Sequence, residues 1–71
     1  MKIYEFTLPE LNYFREYCNF TPDELTLFNY RAAHYPLEQC AELMNVSVAT
    51  VKRISGRVNK KVKRVSKGVS E

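Results

Sequence analysis

The sequence predicts an all-α protein of four helices. A hexapeptide that can begin a helix occurs twice, as FTLPEL at residues 6–11 and as FTPDEL at residues 20–25. Apolar residues near the C-terminus recur at the three- and four-residue spacing of one helix face. The length of 71 residues allows one domain with one small core. We expect this domain at residues 1–66 and a frayed basic tail at residues 67–71.

The first helix is predicted at about residues 8–18. Thr7 suits its N-cap, and Glu10 three residues later can bond back to the cap, which makes a capping box. Phe6 before the cap and Leu11 after it form a hydrophobic staple. The apolar face expected to point inward carries Leu11, Phe14 and Cys18.

The second helix, at about residues 22–34, repeats these signals. Thr21 and Glu24 make the second capping box, and proline at position 22 suits a first turn that lacks N–H partners. Pro36 limits the helix, because the residue before a proline is pushed out of the helical region. The expected stripe is Leu25, Phe28 and Ala32, with Leu27 and Tyr30 on its shoulders.

A short third helix is predicted at residues 37–44 and a sharp turn after it. Asn45 tolerates the left-handed conformation that such a turn needs. Val46 is expected to fill the core, and Ser47 to cap the next helix. The inward residues of the third helix are Leu37, Cys40, Ala41 and Met44.

The last helix, at residues 48–65, is long and two-sided. Gly56 lies on its basic side, where a missing side chain would let a partner approach closely. The predicted core stripe is Val51, Ile54, Val58, Val62 and Val65. The opposite half carries Lys52, Arg53, Arg57, Lys60, Lys63 and Arg64.

Charge is divided unevenly along the chain. Residues 1–44 contain three basic and seven acidic residues, whereas residues 45–71 contain eight basic residues and only Glu71 as an acid. The overall net charge of +3 therefore conceals a strongly basic C-terminal part. Such asymmetry suggests a polyanion as partner.

Composition argues against several classes of protein. No apolar run is long enough to span a membrane, and the N-terminus lacks signal-peptide features, so a cytoplasmic protein is expected. Cys18 and Cys40 match no zinc spacing and are expected to be small apolar fillers of the core. We expect no enzyme, no cofactor and no metal, because the acids occupy cap and solvent positions and no phosphate-binding glycine loop is present.

One segment resembles a known family of DNA-binding domains. AELMNVSVATVKRISGRVNKKV, at residues 41–62, is similar to the C-terminal helix-turn-helix of bacterial sigma factors (region 4) and of LuxR-type response regulators. The similarity extends back through TPDELTLFNYRAAHYPLEQC and so covers about residues 21–62. The positions that match the pattern of these families are Ala41, Val46, Ser47, Ala49, Thr50, Val51, Lys52, Arg57, Lys60 and Lys61.

This resemblance implies a four-helix helix-turn-helix domain like sigma region 4, with a long C-terminal recognition helix that binds double-stranded DNA. No other sigma region fits in the chain, so we expect a free-standing transcriptional regulator. The candidates for contacts with bases are Ser47, Val48, Ala49, Lys52 and Arg53, with Arg53 foremost. The candidates for contacts with phosphates are Thr50, Arg57, Lys60, Lys61, Lys63 and Arg64; Thr50 can equally serve as a cap.

Other partners remain open at the level of sequence. The main alternative is a protein-interaction module that binds RNA polymerase or a sigma partner, because Leu43 and five tyrosines can form an apolar patch. Double-stranded RNA and membrane surfaces are weaker alternatives. A homodimer is also expected, with the first helix and an MKIYEF strand as its contacts, since one helix-turn-helix reads only a few base pairs.

Overall fold

The computed structural model describes the backbone of residues 3–69 and the side chains of residues 3–66. Within this part of the chain, a short 3-10 turn, Ile3–Glu5, precedes four α-helices, and no strand is present. The helices are α1 (Leu8–Tyr17), α2 (Pro22–Ala32), α3 (Leu37–Met44) and α4 (Val48–Val69). The predicted all-α class and the number of helices are confirmed.

Three helix ends and one predicted strand differ from expectation. The first helix ends one residue early, at Tyr17, and Cys18 is its C-cap. The second helix ends two residues early, because His34 adopts a left-handed φ of 72°. The last helix continues to residue 69, so the tail predicted to fray from residue 67 begins inside it, and residues 70–71 lie outside the described part. The predicted MKIYEF strand is wrong over residues 3–5, where the turn buries Ile3 against the core; residues 1–2 are not described.

Both predicted capping boxes are present. Thr7 N–H donates to Glu10 Oε1 at 2.8 Å, and Glu10 N–H donates to the Thr7 hydroxyl at 3.4 Å. The equivalent distances between Thr21 and Glu24 are 3.0 and 3.3 Å. The repeated hexapeptide therefore marks the starts of α1 and α2.

The core lies where α2, α3 and α4 meet. Leu27, predicted on a shoulder of α2, is instead completely buried, because α2 contacts the N-terminal turn as well as α3 and α4 and so has a wide buried face. The predicted α4 stripe is buried from Val51 to Val62, and Val65 packs partly against its edge. The buried apolar residues are Ile3, Phe14, Cys18, Leu27, Phe28, Cys40, Ala41, Val51, Ile54, Val58 and Val62.

Both cysteines are free thiols within this core, as predicted. Burial raises the pKa of each thiol above its ordinary value, and nearby cations oppose the increase only in part: Arg64 and Lys61 at Cys18, and Arg31 at Cys40. Neutral, buried thiols of this kind act as small apolar side chains.

The dominant element is α4, whose 22 residues correspond to a length of about 33 Å. It accounts for most of the 37 Å long dimension of the molecule. Its inner face packs mainly on α2 and α3, with a smaller contact to α1. None of the helices within residues 3–69 combines the length and apolar character needed to cross a membrane.

Candidate nucleic-acid interface

A hydrogen-bonded turn fixes the start of α4 relative to α3. Asn45 adopts the predicted left-handed conformation, with φ 58° and ψ 46°. Val46 N–H donates to the carbonyl of Ala41 at 3.0 Å, which closes the end of α3. Val46 does not fill the core as predicted. Its side chain is 37% exposed, because the turn places it at the edge of an open cleft with Glu38 and Glu42 rather than over the core.

Ser47 caps α4 as predicted. Its hydroxyl accepts the backbone N–H of Thr50 at 3.2 Å and lies 2.9 Å from the Thr50 hydroxyl. Thr50 is therefore the residue whose N–H the Ser47 cap satisfies, and its contact with a phosphate stays a prediction. Ser47, Val48 and Ala49, the candidates for contacts with bases at this helix start, are all exposed.

Three rows of residues run along the outer face of α4. Residues seven or eleven apart differ by only about 20° around a helix, so they fall into line. The central row contains Ala49, Arg53, Gly56 and Lys60. The Lys52 flank contains Lys52 and Lys63, and the Arg57 flank contains Arg57 and Arg64. All of these positions are exposed, so the structure brings six predicted DNA-contacting cations onto one surface.

Lys61 is the exception among the predicted phosphate contacts. Its ammonium donates to Glu24 Oε1 at 2.5 Å and to the carbonyl of Asn19 at 3.1 Å. Glu24 is only 2% exposed, whereas the Lys61 side chain is 25% exposed. Lys61 thus neutralises a buried carboxylate and ties α4 to the start of α2.

The Glu24 carboxylate is the only buried charged group described in residues 3–66. Burial raises its pKa, but hydrogen bonds from Lys61 and from Thr21 N–H lower it by more, and the charges of Lys61 and Arg57 act in the same direction. Its pKa therefore lies below the ordinary value of a glutamate. The positive charge of α4 thus already stabilises one anion inside the protein.

The remaining cations of α4 have no such partner. Within the side chains of residues 3–66, the pair between Lys61 and Glu24 is the one salt bridge present. The cations of the three rows therefore carry uncompensated charge on a helix whose other face is buried. Like charges three or four residues apart on a helix repel each other, and a polyanion would relieve this repulsion.

A second kind of surface surrounds the other helices. Tyr13 and Tyr17 on α1 are exposed and lie side by side, with ring centroids 4.6 Å apart. Leu8 and Leu43 are 65% and 49% exposed. Tyr30 and Tyr35 instead pack partly into the fold, and Tyr4 is half-buried against His34. The five tyrosines therefore do not form one patch.

Comparison of the chain with protein-family models, with curated proteins and with solved structures gives no match.

Sequence reasoning identified the basic face but missed the buried ion pair within it. Glu24 was predicted only as a cap, and Lys61 only as a phosphate contact. No sequence signal joins two residues 37 positions apart. The one available indication is geometric: on a helical wheel Lys61 lies nearer than the other cations to the apolar stripe, about 20° from Ile54 and about 60° from Val58.

Proposed function

We propose that the protein binds double-stranded DNA, with α4 in the major groove, as the DNA-binding unit of a transcriptional regulator. The observation that carries the proposal is the outer face of α4, where cations without an ion-pair partner among residues 3–66 stand opposite a buried apolar stripe. These cations are Lys52, Arg53, Arg57, Lys60, Lys63 and Arg64.

The width of α4 and the turn that connects it to α3 support the proposal. An α-helix with its side chains is about 10 to 12 Å across, and the major groove of B-form DNA is about 12 Å wide. A short helix, a three-residue turn and a capped second helix are typical of helix-turn-helix proteins, in which the second helix enters the groove. The resemblance of residues 41–62 to sigma region 4 points the same way.

In this proposal the start and centre of α4 read the bases. Arg53 is the principal reader, because an arginine can donate two hydrogen bonds to guanine, a contact worth about 1 to 3 kcal/mol. Ser47, Val48 and Ala49 meet the groove at the helix start, where apolar side chains can contact thymine methyl groups. Lys61 is left out of the proposed contacts, since Glu24 holds its ammonium.

The proposal is tested by fluorescence anisotropy with a labelled random duplex at several salt concentrations. We expect binding that weakens steeply with salt, and a slope that falls by about 0.9 for each phosphate that a variant no longer neutralises. Arg53→Gln should weaken binding. Arg15→Gln is the matched control, because it removes the same charge from the α1–α2 side of the protein, where Arg15 bonds Asn29.

Thermal melts of both variants verify that they remain folded. If the wild type binds no duplex at low salt, or if Arg15→Gln and Arg53→Gln weaken binding equally, the proposal is wrong.

A protein-interaction module that contacts RNA polymerase or a sigma partner is the second candidate. The exposed pair Tyr13 and Tyr17 favours it, since adjacent exposed aromatic rings are enriched at protein interfaces. The test is binding to purified RNA polymerase core enzyme and to a purified sigma factor. Replacement of both tyrosines by serine should abolish this binding, whereas Arg53→Gln should not affect it.

We also propose a homodimer, because a single helix-turn-helix covers too few base pairs for tight binding alone. The contact would be α1, which carries the exposed residues Leu8, Tyr13 and Tyr17. Sedimentation velocity at increasing protein concentration should show a dimer that the Tyr13→Ser, Tyr17→Ser variant lacks. A single monomeric species at all concentrations would contradict the proposal.

A further inference from the structure

A shallow cleft lies between the start of α2 and the Arg57 flank of α4. It has a volume of about 220 Å³ and is lined by Glu24, Arg57, Lys60, Lys61 and Arg64. The cleft is open to solvent, so a group on the surface of a large partner can enter it.

The charge of this cleft is strongly positive even though it contains a carboxylate. Glu24 is buried and is neutralised by Lys61, which leaves Arg57, Lys60 and Arg64. These three cations have no acidic partner among the described side chains. They lie three, four and seven residues apart, so they repel one another along one side of α4.

Arginine is well suited to hold a phosphate at such a place. Its planar guanidinium can donate two parallel hydrogen bonds to phosphate oxygens, and two arginines seven residues apart lie on one line of the helix. The charge of the cleft already acts on neighbouring groups, since Arg57 favours the charged form of Glu24 and Arg64 that of Cys18.

We propose that this cleft binds a backbone phosphate of one DNA strand, with Arg57 and Arg64 as its ligands and Lys60 beside them. The proposal rests on the function proposed above and adds the orientation of α4 in the groove. Lys52 and Lys63 lie about 120° away around the helix, on the other flank. They contact the opposite strand, and Ala49, Arg53 and Gly56 of the central row face the base pairs between the two strands.

The width of the groove supports this division. A helix of about 10 to 12 Å fills a groove of about 12 Å, so its two flanks must each face the sugar–phosphate backbone of a different strand. Lys52 is accordingly moved from the bases, where sequence reasoning placed it, to a phosphate.

Two charge-matched double variants test the division. Arg57→Ala, Arg64→Ala removes two cations from one flank, and Lys52→Ala, Lys63→Ala removes two from the other. Lys52→Ala, Lys63→Ala should reduce the slope of log affinity against log salt by about 1.8, because it leaves two phosphates without a cation. Arg57→Ala, Arg64→Ala should reduce the slope by about 0.9, because its two arginines share one phosphate. Thermal melts check that both variants are folded.

The strands are distinguished with a duplex enriched from a random pool, in which single phosphates are replaced by uncharged methylphosphonates. We expect replacements on one strand to weaken binding by the wild type but not by Arg57→Ala, Arg64→Ala. Replacements on the other strand should weaken binding by the wild type but not by Lys52→Ala, Lys63→Ala.

The proposal is overturned if both double variants become insensitive to the same phosphates, or if Arg57→Ala, Arg64→Ala keeps the full salt slope. Saturable binding of inorganic phosphate to the free protein, abolished in that variant, would make the cleft a small-anion site and also overturn it. Failure of the wild type to bind any duplex refutes the proposed function itself. If the wild type binds DNA but both double variants respond to the same phosphates, only the assignment of the two flanks to different strands is refuted.

Discussion

The ammonium of Lys61 lies 2.5 Å from Oε1 of Glu24 and joins the middle of α4 to the first turn of α2. The same oxygen accepts Thr21 N–H at 3.0 Å, so one carboxylate closes a helix cap and anchors a second helix. This ion pair therefore adds a polar contact between α4 and α2 to the apolar packing of the α4 stripe.

Removing Lys61 should cost more stability than removing Glu24. Lys61→Met leaves a carboxylate buried without its cation, which we expect to cost about 2 to 4 kcal/mol. Glu24→Gln keeps a side chain that can bond the N–H of the Thr21 cap, and it leaves Lys61 able to reach solvent. We expect it to lower the free energy of unfolding by about 1 to 2 kcal/mol. Urea denaturation of the wild type, both single variants and the double variant measures the coupling free energy between Lys61 and Glu24.

Glu10→Gln is the matched control, because Glu10 occupies the same cap position in α1 but is exposed. It should change stability by less than about 0.5 kcal/mol. Equal effects at Glu10 and Glu24, with additive behaviour of the Glu24 and Lys61 variants, would contradict the structural role assigned to the pair.

Acid should remove the stability that Glu24 contributes. Its pKa is lowered in the folded protein, so the unfolded chain takes up the proton more readily than the folded one as pH falls. The contribution is complete above the unfolded value of about 4.3 and is lost as pH falls through the lower folded value. Denaturation curves at pH 7, 5 and 3 should show that the difference in free energy of unfolding between the wild type and Glu24→Gln shrinks as the pH falls. A difference in free energy of unfolding that is the same at all three pH values would show that Glu24 does not titrate in this way.

Gly56→Ala should stabilise the protein. A Cβ added there meets no other atom within 4 Å, and alanine is favoured over glycine inside a helix by about 1 kcal/mol. A thermal melt should show an increase of roughly 4 to 8 °C for a domain of this size. A decrease in melting temperature would mean that the space around Gly56 is not open.

A large side chain at position 56 should weaken DNA binding. Gly56 stands in the central row between Arg53 and Lys60, where a larger side chain would hold the helix away from the bases. Gly56→Leu should bind duplex DNA more weakly than the wild type, whereas Gln39→Leu, at an exposed position of α3, should bind as the wild type does. Anisotropy titrations of the two variants make the comparison.

Neither thiol should react quickly in the native protein. Both cysteines are completely buried, and burial raises their pKa, so little reactive thiolate is present at neutral pH. A disulfide exchange reagent should label both thiols slowly in buffer and rapidly in denaturant. Rapid labelling of one thiol in buffer would indicate local opening at α1 or α3.

Elements with strong local signals could be predicted from the sequence. The caps at Thr7, Thr21 and Ser47 depend on residues three positions apart, and the valine stripe of α4 repeats over four turns, so each signal is complete within its own segment. Asn45 was predictable because few residues tolerate a left-handed conformation.

Features that depend on the neighbours of a segment could not be predicted. The burial of Leu27 follows from contacts that α2 makes on several sides at once. The exposure of Val46 follows from the turn, which places it at the edge of an open cleft beside α3. The role of Lys61 follows from the position of Glu24, because a lysine on a basic helix has the same sequence pattern whether it faces a carboxylate or solvent.

Selection from a pool of random duplexes, followed by sequencing, would show whether the outer face of α4 reads DNA. The wild type should enrich a defined sequence motif. The Arg53→Ala variant should still bind DNA in low salt through the remaining cations but should no longer enrich that motif. If both proteins enrich the same motif, or if the wild type retains no DNA at low salt, the outer face of α4 does not read DNA.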